Sequence, residues 1–222
     1  MLTPEQELPT VTEPRPLNLE EIDGQVLRLF ALVGEGLAAA TESFLAGDRE
    51  AARKVAAGDV LIDDLQLSIE EWVQLDLARS ASRSERIPLL VSILRIVPEL
   101  ERSGDLVEHI ALRTQPGLVT RITPLARGLI GEMGRLGVEM WSRAADAWCT
   151  RDASAVIGLR RLDDQLDDLH VRLTAELAES TTSMAAAIEM GLVARFYERL
   201  GDHAVNVARR IDYLASGGRP GT

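Results

Sequence analysis

One short stretch occurs twice, and it constrains the fold more than any other feature. It reads ELERSGDLVEHIA over 99–111 and FYERLGDHAVNVA over 196–208, an offset of 97 that matches Glu101 to Glu198, Arg102 to Arg199, Gly104 to Gly201 and Asp105 to Asp202. The shared motif is Glu-Arg-x-Gly-Asp. At 3.6 residues per turn, its two acids stand one above the other on a helix face, about 40° apart in azimuth. Like charges so placed cost an isolated helix roughly 0.2–0.5 kcal/mol, so keeping the pair twice needs a reason.

A second block lies upstream of each copy. DVLIDDL over 59–65 aligns with DDQLDDL over 163–169 at an offset of 104, which also pairs Asp48 with Asp152. Asp59 and Asp63 are again four apart, as are Asp163 and Asp167. Each repeat thus carries two helices with a vertical pair of carboxylates. Packed side by side with the pairs facing, they bring four carboxylates together.

The heptad-like seam Val26, Phe30, Val33, Leu37, Ala40 and Phe44 predicts a first helix over 19–46, with Gly47 as its stop and Asp48 as the next cap. A second helix is expected over 49–77, and a third from Pro88 in its first turn to 113, bent at Pro98. TQPG over 114–117 is the strongest internal break. Beyond it the plan repeats, with helices at 121–150, 152–178 and 184–215 and a seam through Leu129, Met133, Leu136, Met140 and Ala147. No stretch shows strand alternation. The fold class is therefore all-α, two tandem antiparallel three-helix bundles at 19–114 and 118–215, between a disordered leader (1–18) and a flexible tail (216–222). Trp72, Trp141 and Trp148 are expected as packing residues rather than cofactor contacts.

The net charge of -11 argues against non-specific nucleic-acid binding. Cys149 is the only cysteine, which excludes an intramolecular disulfide and a paired-cysteine zinc or redox motif and fits a reducing compartment. No basic region followed by an apolar run opens the chain, and no run of about 18 apolar residues suggests a membrane span. The chain is read as cytoplasmic.

The Glu-Arg-x-Gly-Asp motif near the end of each third helix, HAVNVARRI after the second copy and the Asp-rich middle helices resemble the PhoU family over about residues 19–215. The resemblance implies two similar three-helix bundles binding a multinuclear metal cluster, iron or otherwise Mg, Mn or Ca. It further implies a negative regulator of phosphate-starvation signalling. Such a protein acts between the phosphate ABC transporter ATPase and a membrane sensor histidine kinase, often as a homodimer, peripheral to the inner membrane. The implied ligands are Asp59, Asp63, Glu101 and Asp105 in one site, and Asp163, Asp167, Glu198 and Asp202 in the other. Two departures stand out: SERIPLL over 84–90 replaces the family's Asp-Leu-Arg triplet, and His109 stands where the second repeat has Asn206.

The residues alone leave open a solvated acidic face. Against it, two carboxylates about 5 Å apart repel by roughly 3 kcal/mol at an effective dielectric near 20, so a cluster must protonate, splay or bind a cation. All-oxygen ligands favour hard ions. Gly104 and Gly201 are expected to admit a neighbouring helix, at about 1 kcal/mol each in helix propensity. His109, on the stripe of Glu101 and Asp105, and His170, three residues after Asp167, are further ligand candidates, whereas His203 reads as structural. No nucleophile triad or phosphate loop is present. The chain is therefore read as a non-enzyme, the alternatives being a ferritin-like di-iron oxidase and a metal-free helical scaffold.

Overall fold

The computed structural model describes residues 19–79 and 86–216. The leader 1–18, the link 80–85 that holds Ser84 and Glu85 of the departing segment, and the tail beyond Ser216 lie outside the described residues. Seven α-helices follow in order: α1 (Leu19–Ala46), α2 (Arg49–Ala56), α3 (Asp59–Arg79), α4 (Ile87–Leu112), α5 (Pro124–Thr150), α6 (Ala155–Glu179) and α7 (Met184–Ala215). A single 3₁₀ turn, Val119–Arg121, precedes α5. No strand occurs among the described residues.

The apolar seams are where periodicity put them. Val26, Phe30, Val33, Leu37, Ala40 and Phe44 are all buried, as are Leu129, Met133, Leu136, Met140 and Ala147. α1 packs on α2, α3 and α4 within its own repeat and on α5 of the other, while α7 packs on α5 and α6 and reaches across to α4. One continuous apolar core results. By length and composition α1 is apolar enough to cross a membrane, and here its apolar stripe is buried against α4 and α5. Trp141 and Trp148 are buried, and Trp72 packs partly buried against the core.

Polar signals shape the ends. Gly47 takes a positive φ of 69°, and the Asp48 carboxylate accepts from the Glu50 and Ala51 amides at 3.0 Å, closing α1 and capping α2. Pro88 sits in the first turn of α4, which runs unbroken through Pro98. Ser183 caps α7 at the expected start.

Three boundaries differ from expectation. The helix predicted over 49–77 is two helices, because the chain turns at Ala57 and Gly58, where the Gly58 amide bonds back to the Val55 carbonyl at 2.9 Å. The first repeat therefore has four helices, and Asp59 opens α3 instead of lying inside a longer rod. α6 starts at Ala155 rather than 152, because the Asp152 carboxylate binds the Ser154 amide at 2.8 Å in a local turn. Likewise α5 starts at Pro124, capped by Thr123, rather than at 121.

The two repeats are joined by polar links as well as by packing. The buried Thr41 hydroxyl on α1 donates to the Leu37 carbonyl and accepts from the Tyr197 hydroxyl on α7, both at 2.8 Å. Arg151, just past α5 with a positive φ of 55°, binds both Asp23 oxygens on α1 at 2.8 and 2.9 Å and stacks on Trp148. Charge-assisted hydrogen bonds of this kind are stronger than neutral ones.

Candidate metal centres

The glycine of each Glu-Arg-x-Gly-Asp motif decides how closely the acids converge. A β-carbon on Gly104 would sit 2.8 Å from Asp59 Oδ1 and 2.8 Å from Ile62 Cδ1. One on Gly201 would sit 2.6 Å from Asp163 Oδ1 and 2.8 Å from Leu166 Cδ2. In both repeats the aspartate of the preceding helix occupies the space that a side chain would take. The motif glycine therefore seats a carboxylate of α3 or α6 directly on α4 or α7.

In the first repeat, oxygens of Asp59, Asp105 and Glu108 lie within 4.8 Å of one another. Asp59 Oδ1 is buried and has no hydrogen-bond partner. An unpaired buried carboxylate oxygen is costly, which makes it the sharpest polar anomaly of the cluster. Burial, followed by the charges of Asp63, Asp105, Glu108 and Glu101, pushes the Asp59 carboxyl up to about 6. Glu101 is raised in the same way, by burial and then by Asp105 and Asp63, with Arg102 opposing and Glu70 adding. Asp63 and Asp105 thus act on both Asp59 and Glu101, and Glu101 acts on Asp59. Glu108 and Glu70 join them. Asp59 and Glu108 also line a cavity of about 260 Å³ that Lys54 and Glu35 border.

The second repeat is similar but not equal. Burial, and then Asp167, Asp202 and Asp164, push Asp163 up to about 6. Asp167 is raised by burial and by Asp202 and Asp164, with His170 and Arg195 opposing. Glu198 instead forms an ion pair with Arg195 one turn before it. Three of the four expected acids therefore crowd one another, and the fourth is held by a cation of its own helix.

The three histidines stand in different surroundings. His109 is exposed, and its ring packs on Phe196 of α7, centroids 5.5 Å apart. His170 stays near Asp167 and Arg195, its imidazole pushed down by burial and Arg195. His203 is buried against Ser103, Nδ1 to Oγ at 3.0 Å, which bears out the structural reading.

The donor set fits a hard cation: carboxylates only, partly desolvated, from two packed helices, with one buried oxygen lacking a proton donor. Comparison with known proteins agrees with the fold and the repeat. The PhoU domain model matches residues 26–114 and again 130–211. A relative from Mycobacterium tuberculosis, "Phosphate-specific transport system accessory protein PhoU homolog 2", is 32% identical over 205 residues, covering 91% of this chain and 96% of its own. A Synechocystis PhoU homolog is 29% identical over 208 residues, covering 90% of this chain and 91% of its own. The crystal structure of PhoU from Pseudomonas aeruginosa superposes with a TM-score of 0.83 at 26% identity, over 90% of this chain and 97% of that one. That of the phosphate transport system regulatory protein PhoU from Streptococcus pneumoniae gives 0.80 at 24% identity, over 92% and 97%. Two family matches that each contain one Glu-Arg-x-Gly-Asp motif, on a fold shared with a PhoU crystal structure, mean that the chain belongs to the PhoU family.

Proposed function

We propose that this chain is a metal-binding, non-enzymatic regulatory adaptor that restrains phosphate uptake and phosphate-starvation signalling. Its partners would be the ATPase of a phosphate ABC transporter and a sensor histidine kinase. The names of the relatives, accessory proteins of a phosphate-specific transport system, support the phosphate side of this reading. Family membership supports the cytoplasmic location at the inner membrane and the homodimer.

The observation that carries the metal side is the convergence of carboxylate oxygens of Asp59, Asp105 and Glu108 within 4.8 Å, on an aspartate whose Oδ1 is buried without a partner. Asp59, Asp63, Glu101 and Asp105, with Glu108, would hold one cluster. Asp163, Asp167 and Asp202 would hold the other, joined by Glu198 once Arg195 lets go. A bound cation, iron or one of Mg, Mn and Ca, neutralises the crowded carboxylates and ties α3 to α4 and α6 to α7. The same ties would give the bundle faces the rigidity that a docking partner needs.

Two measurements test the reading. A deletion strain grown in high phosphate should show derepressed phosphate-responsive transcription and altered uptake. Unchanged transcription together with unchanged uptake would reject the regulatory role. Protein purified without added metal should carry metal by elemental analysis, and Glu101→Ala/Asp105→Ala combined with Glu198→Ala/Asp202→Ala should not. Equal metal content in both would reject the cluster.

A further inference from the structure

α4 and α7 run antiparallel across the middle of the molecule, and the repeat makes the two ends of their contact comparable. At one end, Arg113 donates to Glu189 Oε2 at 2.7 Å and lies over the Phe196 ring. The offset of 97 maps this arrangement onto the other end: Arg113 becomes Arg210, Glu189 becomes Ser92 and Phe196 becomes Glu99. The arginine is kept and its carboxylate is lost. Ser92 is buried with an unpartnered hydroxyl.

A cleft of about 570 Å³ opens at that end, bordered by Arg95 and Arg102 from α4 and by Arg209, Arg210 and Asn206 from α7. Only Glu99, bound by Arg102 at 2.8 Å, supplies negative charge to the lining. Arg209 donates to Asn206 Oδ1 at 2.9 Å, and Arg95 and Arg210 have no ion-pair partner among the described residues. Four guanidiniums against one carboxylate leave a net charge of +3 in a concave site, on a chain whose total is -11. Arg95, Arg102 and Arg209 are exposed and Arg210 is half-buried, and like charges gathered on the walls of a cleft repel and raise the potential met by an entering anion. Guanidinium forks match phosphoryl oxygens bidentately, and the volume is that of a small-molecule site.

We propose that this cleft between α4 and α7 binds a small polyphosphate anion, inorganic or nucleotide-borne. Arg95 and Arg210 supply the free forks, and Arg102 and Arg209, already oriented by Glu99 and Asn206, supply further charge. A second phosphoryl group adds charge and acceptor oxygens for forks from both helices. None of the acids of the metal centres lines the site, although the charge of Arg209 also reaches Asp163 of the second centre.

Calorimetric titration of the full chain with pyrophosphate, ADP, orthophosphate and sulfate, at fixed salt, tests the assignment. Saturable one-site binding of pyrophosphate or ADP is expected, with sulfate and orthophosphate weaker. Arg95→Gln and Arg210→Gln should each raise Kd by about tenfold or more. Arg113→Gln, at the end where Glu189 already neutralises the charge, should leave Kd unchanged. Binding of pyrophosphate but not ADP assigns an inorganic ligand, and tighter ADP binding assigns a nucleotide. Absence of saturable binding, equal binding of all four anions, or equal loss in Arg113→Gln overturns the proposal, melting curves of the variants confirming that each remains folded.

Discussion

Substituting Gly104 and Gly201 by alanine separates the helix-propensity role of these glycines from their role in seating a carboxylate. Alanine gains about 1 kcal/mol over glycine in a helix where nothing opposes it. Gly34 and Gly128 have nothing within 4 Å of an added β-carbon, so Gly34→Ala and Gly128→Ala should stabilise by about that amount. At Gly104 the new carbon meets Asp59 Oδ1 and Ile62 Cδ1 at 2.8 Å, and at Gly201 it meets Asp163 Oδ1 at 2.6 Å. Overpacking of this kind costs about 1–3 kcal/mol, which leaves each variant between neutral and about 2 kcal/mol less stable. The larger effect falls on the ligand. An aspartate forced off its seat loses its place among the other acids, so the metal-dependent part of stability should vanish. That part is about 2.7 kcal/mol at 100 times the dissociation constant. Melting with added metal and with chelator reads it directly. The double variant is needed because either centre alone supplies an increment. If Gly104→Ala/Gly201→Ala keeps the full difference between metal and chelator, the glycines do not seat metal ligands and the reasoning fails.

Three further outcomes follow from the same geometry. In chelated protein, Asp59 and Asp163 stand at about 6, above the roughly 3.9 of an unfolded chain. The stability from their tighter proton binding is full below about pH 4 and is lost as pH rises through about 6, on the order of 1 kcal/mol per group once solvent screening is discounted. Chelated wild type should therefore gain stability from pH 7 to pH 5 relative to Asp59→Asn/Asp163→Asn, and parallel pH profiles would contradict this. Thr41→Val strands the buried Tyr197 hydroxyl and should cost about 1–3 kcal/mol in urea unfolding, against about 1 kcal/mol for Tyr197→Phe, which leaves Thr41 still bonded to Leu37; equal costs would show that the orphaned group is not what matters. Arg195→Gln frees Glu198 and should tighten metal binding in a background where the first centre is removed by Asp59→Asn/Asp105→Asn, and unchanged or weaker binding there would place Glu198 outside the second centre.

Periodicity made the helices legible because burial follows the seam: six apolar positions of α1 spaced by four and three are all interior. The Gly47–Asp48 stop and start was legible because a left-handed residue followed by a capping carboxylate is local chemistry. The break before Asp59 was not, since a lone glycine costs a helix only about 1 kcal/mol and the second repeat, with Leu162 at the matching place, runs straight through. Glu108 escaped for a related reason. Its counterpart in the second repeat is Val205, so comparing the repeats conceals it. The i,i+3 spacing of Arg195 and Glu198 was available in the sequence and signalled the ion pair. His109 stood correctly on the acidic stripe, but the ring it packs on belongs to α7, and no spacing along one helix reveals a partner on another.

The repeats diverge in a consistent direction, and the divergence bears on how the two centres would work. The first gathers Asp59, Asp105 and Glu108 at the start of α3, where a helix N-terminus favours negative charge, and opens onto a cavity. The second holds its leading acid, Asp163, inside α6 and carries its own cation in Arg195. A centre that already pairs one carboxylate internally has less uncompensated charge for a metal to relieve, and it must break an ion pair to present its full ligand set. A centre with a partnerless buried oxygen has no such competitor. Arg113 and Arg210 diverge in the same way, one neutralised by Glu189 and the other left without a carboxylate, the matching position being Ser92. In both comparisons duplication kept the scaffold residue, glycine or arginine, and changed the charge beside it. One copy thereby pairs part of its charge within the chain, while the other leaves more of it uncompensated.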